Sequence, residues 1–208
     1  MEGKIERTKF NICLMGESHV GKTCIAYNLT EKVFNENTLT TIGVENFLKV
    51  YNIEGKNYTF KIFDTAGQER YRSFSNSTIR ISDGFVVVFA IDDKNSFECV
   101  NNWINSIEQN SDIHRKAVIL VGNKIDLDKR VVSNEEALNL AKSKRIKYFD
   151  ASAKTGYNIE AIFEEMSKEV YNLNKKLESE NENNNNNPQE KKIVLENKNP
   201  PKKKSSCC

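Results

Sequence analysis

The chain has 208 residues, and its 31 Lys and Arg nearly balance its 29 Asp and Glu. This length indicates one domain, and the near balance of charge argues against a nucleic-acid-binding protein with a broad basic face. The five cysteines follow neither a disulfide nor a metal-binding spacing, the apolar runs are too short to span a membrane, and the N-terminus lacks a signal peptide, so we expect a protein of the reducing cytosol.

The predicted strands are short apolar segments separated by helical patterns. Two of them, residues 85–91 and 117–121, are continuous apolar runs typical of strands that are covered on both faces. A Gly-containing turn at residues 54–57 joins two extended segments and predicts a hairpin with an antiparallel edge strand. The expected strands are Phe10–Met15, Val44–Ile53, Tyr58–Asp64, Phe85–Ile91, Ala117–Val121 and Ile146–Phe149.

Two segments carry apolar residues at helical spacing. The first comprises Phe97, Val100, Ile104 and Ile107, and the second begins at Ile159 and continues to residue 173. Each pattern predicts a helix with one apolar face. Alternation of strands with such helices predicts an α/β fold with a mainly parallel sheet.

The composition changes after residue 173. Residues 174–208 contain eight Lys, five Glu and nine Asn, and they carry few apolar side chains. Such a segment buries too little apolar surface to offset the entropy cost of ordering it. We therefore predict a folded domain over residues 1–173 and a disordered tail over residues 174–208.

Residues 16–23, Gly-Glu-Ser-His-Val-Gly-Lys-Thr, fit the pattern G-x-x-x-x-G-K-[ST] between a predicted strand and a predicted helix. In this pattern backbone N–H groups wrap phosphate groups, the lysine reaches the β and γ oxygens, and the terminal hydroxyl ligates Mg²⁺. The pattern predicts nucleotide binding without choosing between ATP and GTP. The residues expected to line this site are Gly16, Ser18, His19, Val20, Gly21, Lys22, Thr23 and Cys24.

Three further motifs follow predicted strands. Asp64 opens a D-x-x-G pattern and can hold Mg²⁺ through water, since ligands of open α/β sheets bind at the carboxyl ends of the strands. In Asn123-Lys124-Ile125-Asp126, Asp126 can accept hydrogen bonds from the ring N–H and exocyclic amine of guanine, a pair that adenine does not offer. Ser152-Ala153-Lys154 would place a backbone N–H near the base oxygen.

Each of these three motifs has a plainer interpretation. The first and the third could be ordinary turns or loops, and the second could be a helix cap, because Asp and Asn favour such positions. The order of the motifs decides between the interpretations, since each follows a strand in turn over some 140 residues. Together they predict a guanine-nucleotide site.

In this combination the chain resembles the small Ras-like GTPases, and within them the Rab family, over roughly residues 8–173. The most similar stretch is residues 64–73, Asp-Thr-Ala-Gly-Gln-Glu-Arg-Tyr-Arg-Ser, with Thr41-Ile42-Gly43-Val44-Glu45 upstream. The resemblance implies a doubly wound, mostly parallel six-stranded sheet with one antiparallel edge strand and helices on both faces. It also implies hydrolysis of GTP to GDP and phosphate with Mg²⁺.

The resemblance assigns roles to four more residues. Thr41 resembles the switch threonine that joins Thr23 on Mg²⁺ while a γ-phosphate is present, and Gly67 resembles the glycine whose N–H contacts that phosphate. Gln68 resembles the catalytic residue that orients the attacking water, and Phe34 stands where the family places an aromatic ring against guanine. The implied partners are an exchange factor, a GTPase-activating protein without which hydrolysis is slow, and effectors that bind the GTP form.

The terminal Cys207-Cys208 resembles the Rab signal for double geranylgeranylation. It implies prenylation machinery, a prenyl-binding chaperone and a lipid anchor on the cytoplasmic face of an intracellular membrane, in exchange with the cytosol. Two lipid chains anchor stably, whereas one binds reversibly. The family resemblance further implies a role in vesicle-mediated membrane traffic and protein transport, with a monomeric GTPase domain.

His19 departs from the family pattern, which usually has glycine at this position of the phosphate loop. Its ring can point outward and be tolerated, or it can crowd the phosphates and slow hydrolysis or weaken nucleotide retention. The second possibility leaves open a nucleotide-locked module that recruits partners without turnover. A P-loop kinase for small metabolites is a further alternative, but the Asn123–Asp126 motif argues against it.

Overall fold

The computed structural model describes residues 7–32, 34, 44–65 and 72–185. It divides the chain into two units, Met1–Leu173 and Asn174–Cys208. Within the described residues of the first unit, a single sheet forms the centre of the fold.

In the described residues the sheet has six strands in the order β2-β3-β1-β4-β5-β6. β2 is antiparallel to β3, and the other neighbouring strands are parallel. This arrangement confirms the predicted fold class, including the antiparallel edge strand. The strands are β1 (Lys9–Met15), β2 (Val44–Ile53), β3 (Lys56–Thr65), β4 (Gly84–Ala90), β5 (Ala117–Asn123) and β6 (Lys147–Asp150).

The helices of the described residues pack on both faces of the sheet. Alternate residues of β1 point to opposite faces, so Ile12 and Leu14 belong to one buried core while Cys13 and Met15 belong to the other. The first core also contains residues of α1 and α6, and the second contains residues of α2, α4 and α5. The helices are α1 (Lys22–Glu31), α2 (Arg72–Ile81), α3 (Lys94–Glu98), α4 (Val100–Asn110), α5 (Asn134–Lys144) and α6 (Ile159–Asn185).

The predicted helix through Phe97 and Ile107 is two helices, because α3 ends at Glu98 and α4 begins at Val100. Asp93 caps α3 by accepting hydrogen bonds from the N–H groups of Asn95 and Ser96. A short α3 positioned by this cap keeps Phe97 packed against the same core that α4 covers.

The prediction of a disordered segment from residue 174 is wrong for residues 174–185, where α6 continues as a helix to Asn185. Asn174 donates a hydrogen bond to Glu178 at 3.0 Å, and Lys176 lies 3.9 Å from Glu180. Pairs at this i,i+4 spacing stabilise a helix by about 0.2–0.5 kcal/mol each. They contribute to a helix that the small number of apolar residues did not predict.

Among the residues that the structure describes, no helix combines the length and apolar character needed to cross a membrane. The tail cysteines, Cys207 and Cys208, lie outside these residues.

Candidate functional site

The phosphate-loop motif connects the end of β1 to the start of α1, and its glycines are fixed by close contacts. Gly16 has φ 143°, and a Cβ atom there would lie 2.1 Å from the backbone oxygen of Val88. Gly21 has φ 94°, and a Cβ atom there would lie 2.4 Å from Nδ2 of Asn123. Real Cβ atoms do not approach other atoms so closely, so this loop path requires glycine at both positions.

Lys22 lies buried beneath this loop, and its amine is held by the loop's own backbone. Its Nζ donates to the carbonyl oxygens of Gly16 and Glu17, each at 2.8 Å. Burial lowers the pKa of Lys22 from 10.5 to about 8, and the charges of Asp64 and Glu17 act against that shift. Lys22 therefore supplies a positive charge at the position where the motif predicts phosphate, and burial makes the charged form of its amine less stable than in water.

Thr23 and Asp64 form the oxygen-rich part of the site. β1 and β3 are neighbours and Leu14 pairs with Asp64 in register, so the carboxylate lies beside the start of α1. The Thr23 hydroxyl donates to Oδ2 of Asp64 at 2.6 Å, and Asp64 is fully buried. A hydroxyl and a carboxylate are hard oxygen donors of the kind that Mg²⁺ prefers. These residues therefore fit the metal that the motif implies.

Asn123 joins the phosphate loop to the two loops that are predicted to bind the base. From the end of β5, its Nδ2 donates to the backbone oxygen of Val20 at 2.8 Å. Its Oδ1 accepts from the backbone N–H of Ala153 at 3.0 Å, and the side chain is only 1% exposed. A single buried amide thus uses its donor and its acceptor to hold three segments together.

Asp126 is oriented by Ser152. The Ser152 hydroxyl donates to Oδ1 of Asp126 at 2.6 Å and accepts from the backbone N–H of Thr155 at 3.0 Å. Lys124 has φ 70°, and its Nζ lies 3.4 Å from a carboxylate oxygen of Asp92. The carboxylate predicted to recognise guanine is therefore fixed by the same loop that is predicted to contact the base oxygen.

The structure brings the motif residues together at the carboxyl ends of β1, β3, β5 and β6, as their order in the sequence predicts. Their roles in nucleotide binding stay predictions. Phe34 and Cys24 are half-buried, His19 and Lys154 are exposed, and His19 has φ 65°. Thr41, Gly67 and Gln68 lie outside the described residues.

Sequence reasoning missed several residues that support the site. On α1, buried Asn28 donates to the backbone oxygen of Ala153 at 3.1 Å. After Asp126, Arg130 donates to Oδ1 of Asp150 at 2.5 Å, and the Tyr148 hydroxyl donates to the same oxygen at 2.5 Å. A polar residue on an otherwise apolar helix face is a usable signal for Asn28, whereas the other contacts have no local signature.

Comparison with known proteins agrees with this geometry. The family model described as "Ras family" matches residues 11–172. The chain is 36% identical over 162 residues to Ras-related protein Rab-13 of Rattus norvegicus, covering 77% of this chain and 79% of that protein. It is 37% identical over 176 residues to Ras-related protein Rab-8B of Bos taurus, covering 83% and 84% of the two chains. Ras-related protein Rab-8A of Bos taurus is 37% identical over 171 residues, covering 81% and 82%.

Proposed function

The chain belongs to the Ras family as a Rab-like small GTPase, and from that premise we propose that it is a GTP/GDP switch for vesicle-mediated membrane traffic. Family membership supports binding of guanine nucleotide and hydrolysis of GTP. The observation that best supports this proposal at the level of individual residues is the pair of hydrogen bonds made by the Asn123 side chain. It holds the phosphate loop and the base loops in one site.

In the proposed complex the phosphate groups lie on the backbone N–H groups of residues 16–23, and Lys22 supplies positive charge. An incoming phosphate can replace the two carbonyl oxygens that now accept from the Lys22 amine. The ammonium group then faces an anion in place of two neutral carbonyl groups, and a hydrogen bond that joins a cation to an anion is among the stronger kinds. The exchange of partners therefore favours the bound nucleotide.

Guanine is selected by Asp126 in this proposal. Its carboxylate, held by Ser152, would accept the ring N–H and the exocyclic amine of the base. Adenine lacks that pair of donors and would cover the carboxylate without supplying hydrogen bonds to it. A site of this kind can reject the wrong base by a factor on the order of 10⁴. Lys124, Ala153, Lys154 and Phe34 complete the proposed base-binding set.

Thr23 and Asp64 would hold Mg²⁺, which when bound neutralises charge on the β- and γ-phosphates. Thr41 and Gly67 would sense the γ-phosphate, and Gln68 would orient the attacking water. Their ties to the phosphate would be lost on hydrolysis, which is the usual basis of a GTPase switch. Effectors, an exchange factor and an activating protein would recognise the two states.

We assign the GTPase domain to residues 1–173 and a membrane-directed tail to residues 174–208. Prenylation at Cys207 and Cys208 would anchor the protein to the cytoplasmic face of an intracellular membrane. Lys202, Lys203 and Lys204 would each add about 1 kcal/mol of attraction to an anionic leaflet.

Single-turnover release of phosphate tests the proposal. Purified protein is loaded with γ-labelled GTP, Mg²⁺ starts the reaction, and labelled phosphate is counted with time. We expect slow release in the unmodified protein, faster release with an activating protein, and none in Gln68→Leu. Asp126→Asn serves as the matched variant for the base site and should fail to load GTP while the protein remains folded.

Two outcomes would contradict the proposal. Stable loading with no release under any condition would favour the nucleotide-locked module, for which the left-handed backbone at His19 is the relevant observation. Equal loading of ATP and GTP would refute the role of Asp126.

A further inference from the structure

The side chain of Glu17, the second residue of the phosphate loop, points to α4 and is held there. The indole N–H of Trp103 donates to Oε1 of Glu17 at 3.0 Å. The Glu17 carboxylate also acts on Cys99, where burial, the larger cause, and this nearby negative charge together raise the pKa of the thiol. Residues 99 and 103 are four apart, so both side chains lie on one side of the start of α4.

The backbone of the same residue holds the buried lysine. The carbonyl oxygen of Glu17 accepts from Nζ of Lys22 at 2.8 Å. One residue therefore connects α4, through its side chain, to the predicted phosphate-binding amine, through its backbone. A shift of the Glu17 side chain would move that carbonyl oxygen and with it the path of the loop.

We propose that Trp103 is a positioning residue for the nucleotide, acting through Glu17 without touching the ligand. The inference rests on the nucleotide site proposed above. The carboxylate accepts a hydrogen bond from the indole of α4, and this holds the phosphate loop in the path that its glycines require. Loss of the indole N–H would remove that hydrogen bond and allow the loop to open more often.

The contact also has a spectroscopic consequence. Trp103 is the only tryptophan of the chain, and its indole lies against a carboxylate of the phosphate loop. Because indole emission responds to a charged hydrogen-bond partner, the tryptophan emission of the protein responds to this contact. Removal of nucleotide should change that fluorescence if the contact depends on the state of the loop.

The test measures release of labelled GDP from the full chain in excess unlabelled GDP. Trp103→Phe keeps an aromatic ring and removes the donor, so we expect release to become at least about tenfold faster, the effect of losing one hydrogen bond to a charged group. Asn105→Ala changes an exposed residue of the same helix and serves as the control, with release within twofold of the unmodified protein.

The double variant separates positioning from general packing. In a Glu17→Ala background, Trp103→Phe should accelerate release by less than twofold, because its partner is already gone. Glu17→Ala should also shift the emission of Trp103 and remove its response to nucleotide withdrawal by EDTA. Equal acceleration in both backgrounds, or emission that ignores Glu17→Ala, would overturn the inference.

Failure of this inference is distinguishable from failure of the proposed function. If the unmodified chain does not retain GDP, the nucleotide site itself is wrong. If the unmodified chain retains GDP and Trp103→Phe releases it at the same rate, only the positioning role is wrong. Urea unfolding of each variant with GDP bound confirms that the rates compared are those of folded protein.

Discussion

Replacing His19 by glycine should stabilise the protein without changing the rate of nucleotide release. His19 has φ 65°, in the left-handed region that side chains disfavour, and it is exposed on the phosphate loop. Lys22, by contrast, is buried beneath that loop. We therefore assign the cost of this histidine to its left-handed backbone.

The expected gain in the free energy of unfolding is the difference between two opposing contributions. A left-handed conformation costs a non-glycine residue about 1–2 kcal/mol, and glycine brings back about 0.5–1 kcal/mol through the greater freedom of the unfolded chain. The net gain is about 0.8 kcal/mol, which for a domain of this size raises Tm by about 2 °C.

If the His19 ring crowded the phosphates, His19→Gly would raise the free energy of unfolding by a larger amount. If the imidazole weakened GDP binding tenfold, its removal would add about 1.4 kcal/mol in excess GDP. The combined gain of about 2.2 kcal/mol would raise Tm by about 6 °C. Thermal unfolding in excess GDP thus separates the two interpretations of His19.

The matched control is Arg145→Gly, at the C-terminal end of α5. Arg145 is also exposed and has φ 56°, so this change should raise Tm too and leave GDP release unaltered. A rise near 6 °C for His19→Gly, together with tenfold slower GDP release, would refute the backbone explanation and assign the cost of His19 to the bound nucleotide.

Three further predictions concern the loop glycines, the base loop and the buried lysine. Gly21→Ala should abolish GDP binding in a filter assay, because the new Cβ atom would lie 2.4 Å from Nδ2 of Asn123. Gly55→Ala is the control and should bind GDP fully, because Gly55 also has a positive φ of 81° but its Cβ atom would have no atom within 4 Å. Asn123→Asp puts a carboxylate against the Val20 carbonyl that now accepts a hydrogen bond, so GDP release should accelerate at least tenfold. A release rate within twofold of that of the unmodified protein would contradict the role of Asn123 as a bridge between the loops. Burial lowers the pKa of Lys22 from 10.5 to about 8, so between these two pH values the unfolded chain binds more protons than the folded chain. The free energy of unfolding of nucleotide-free protein should therefore rise with pH in this range. Urea titrations should show that Lys22→Met weakens this rise, and an unchanged slope would refute the assignment.

The sheet was predictable because its central strands carry their own signal. Every residue of β4 and β5 is buried, so both strands appear in the sequence as continuous apolar runs. α5 gave no apolar pattern, since its buried residues are only Ala137 and Ala141. The capping box of Ser133 and Glu136 is the local signal that would have located its start.

The break between α3 and α4 had no signal in the apolar spacing. Phe97 and Val100 are three residues apart in either arrangement, and both pack in the same core. The break accompanies a contact with the sheet, because the backbone N–H of Ala90 donates to the Ser96 hydroxyl at 3.0 Å. Contacts of this kind depend on the assembled fold and cannot be inferred from periodicity.

The location of the candidate site was predictable for a topological reason. Parallel strands end at one edge of the sheet, so motifs that each follow a strand must converge there. The contacts that join those motifs were not predictable. Asn123 and Val20 are 103 positions apart, and only the pairing of strands between them decides which backbone oxygen the amide reaches.

The bridge made by Asn123 constrains how the site can open. The phosphate loop and the loop after β6 share one buried amide, and neither can move away without leaving a donor or an acceptor of Asn123 unsatisfied. An unsatisfied buried group costs about 1–3 kcal/mol, so displacement of either loop is opposed by the loss of its own hydrogen bond to Asn123. We therefore expect release of nucleotide to be slow in the isolated protein, because opening on either side breaks a buried contact. An exchange factor that displaces either loop would have to offset that cost.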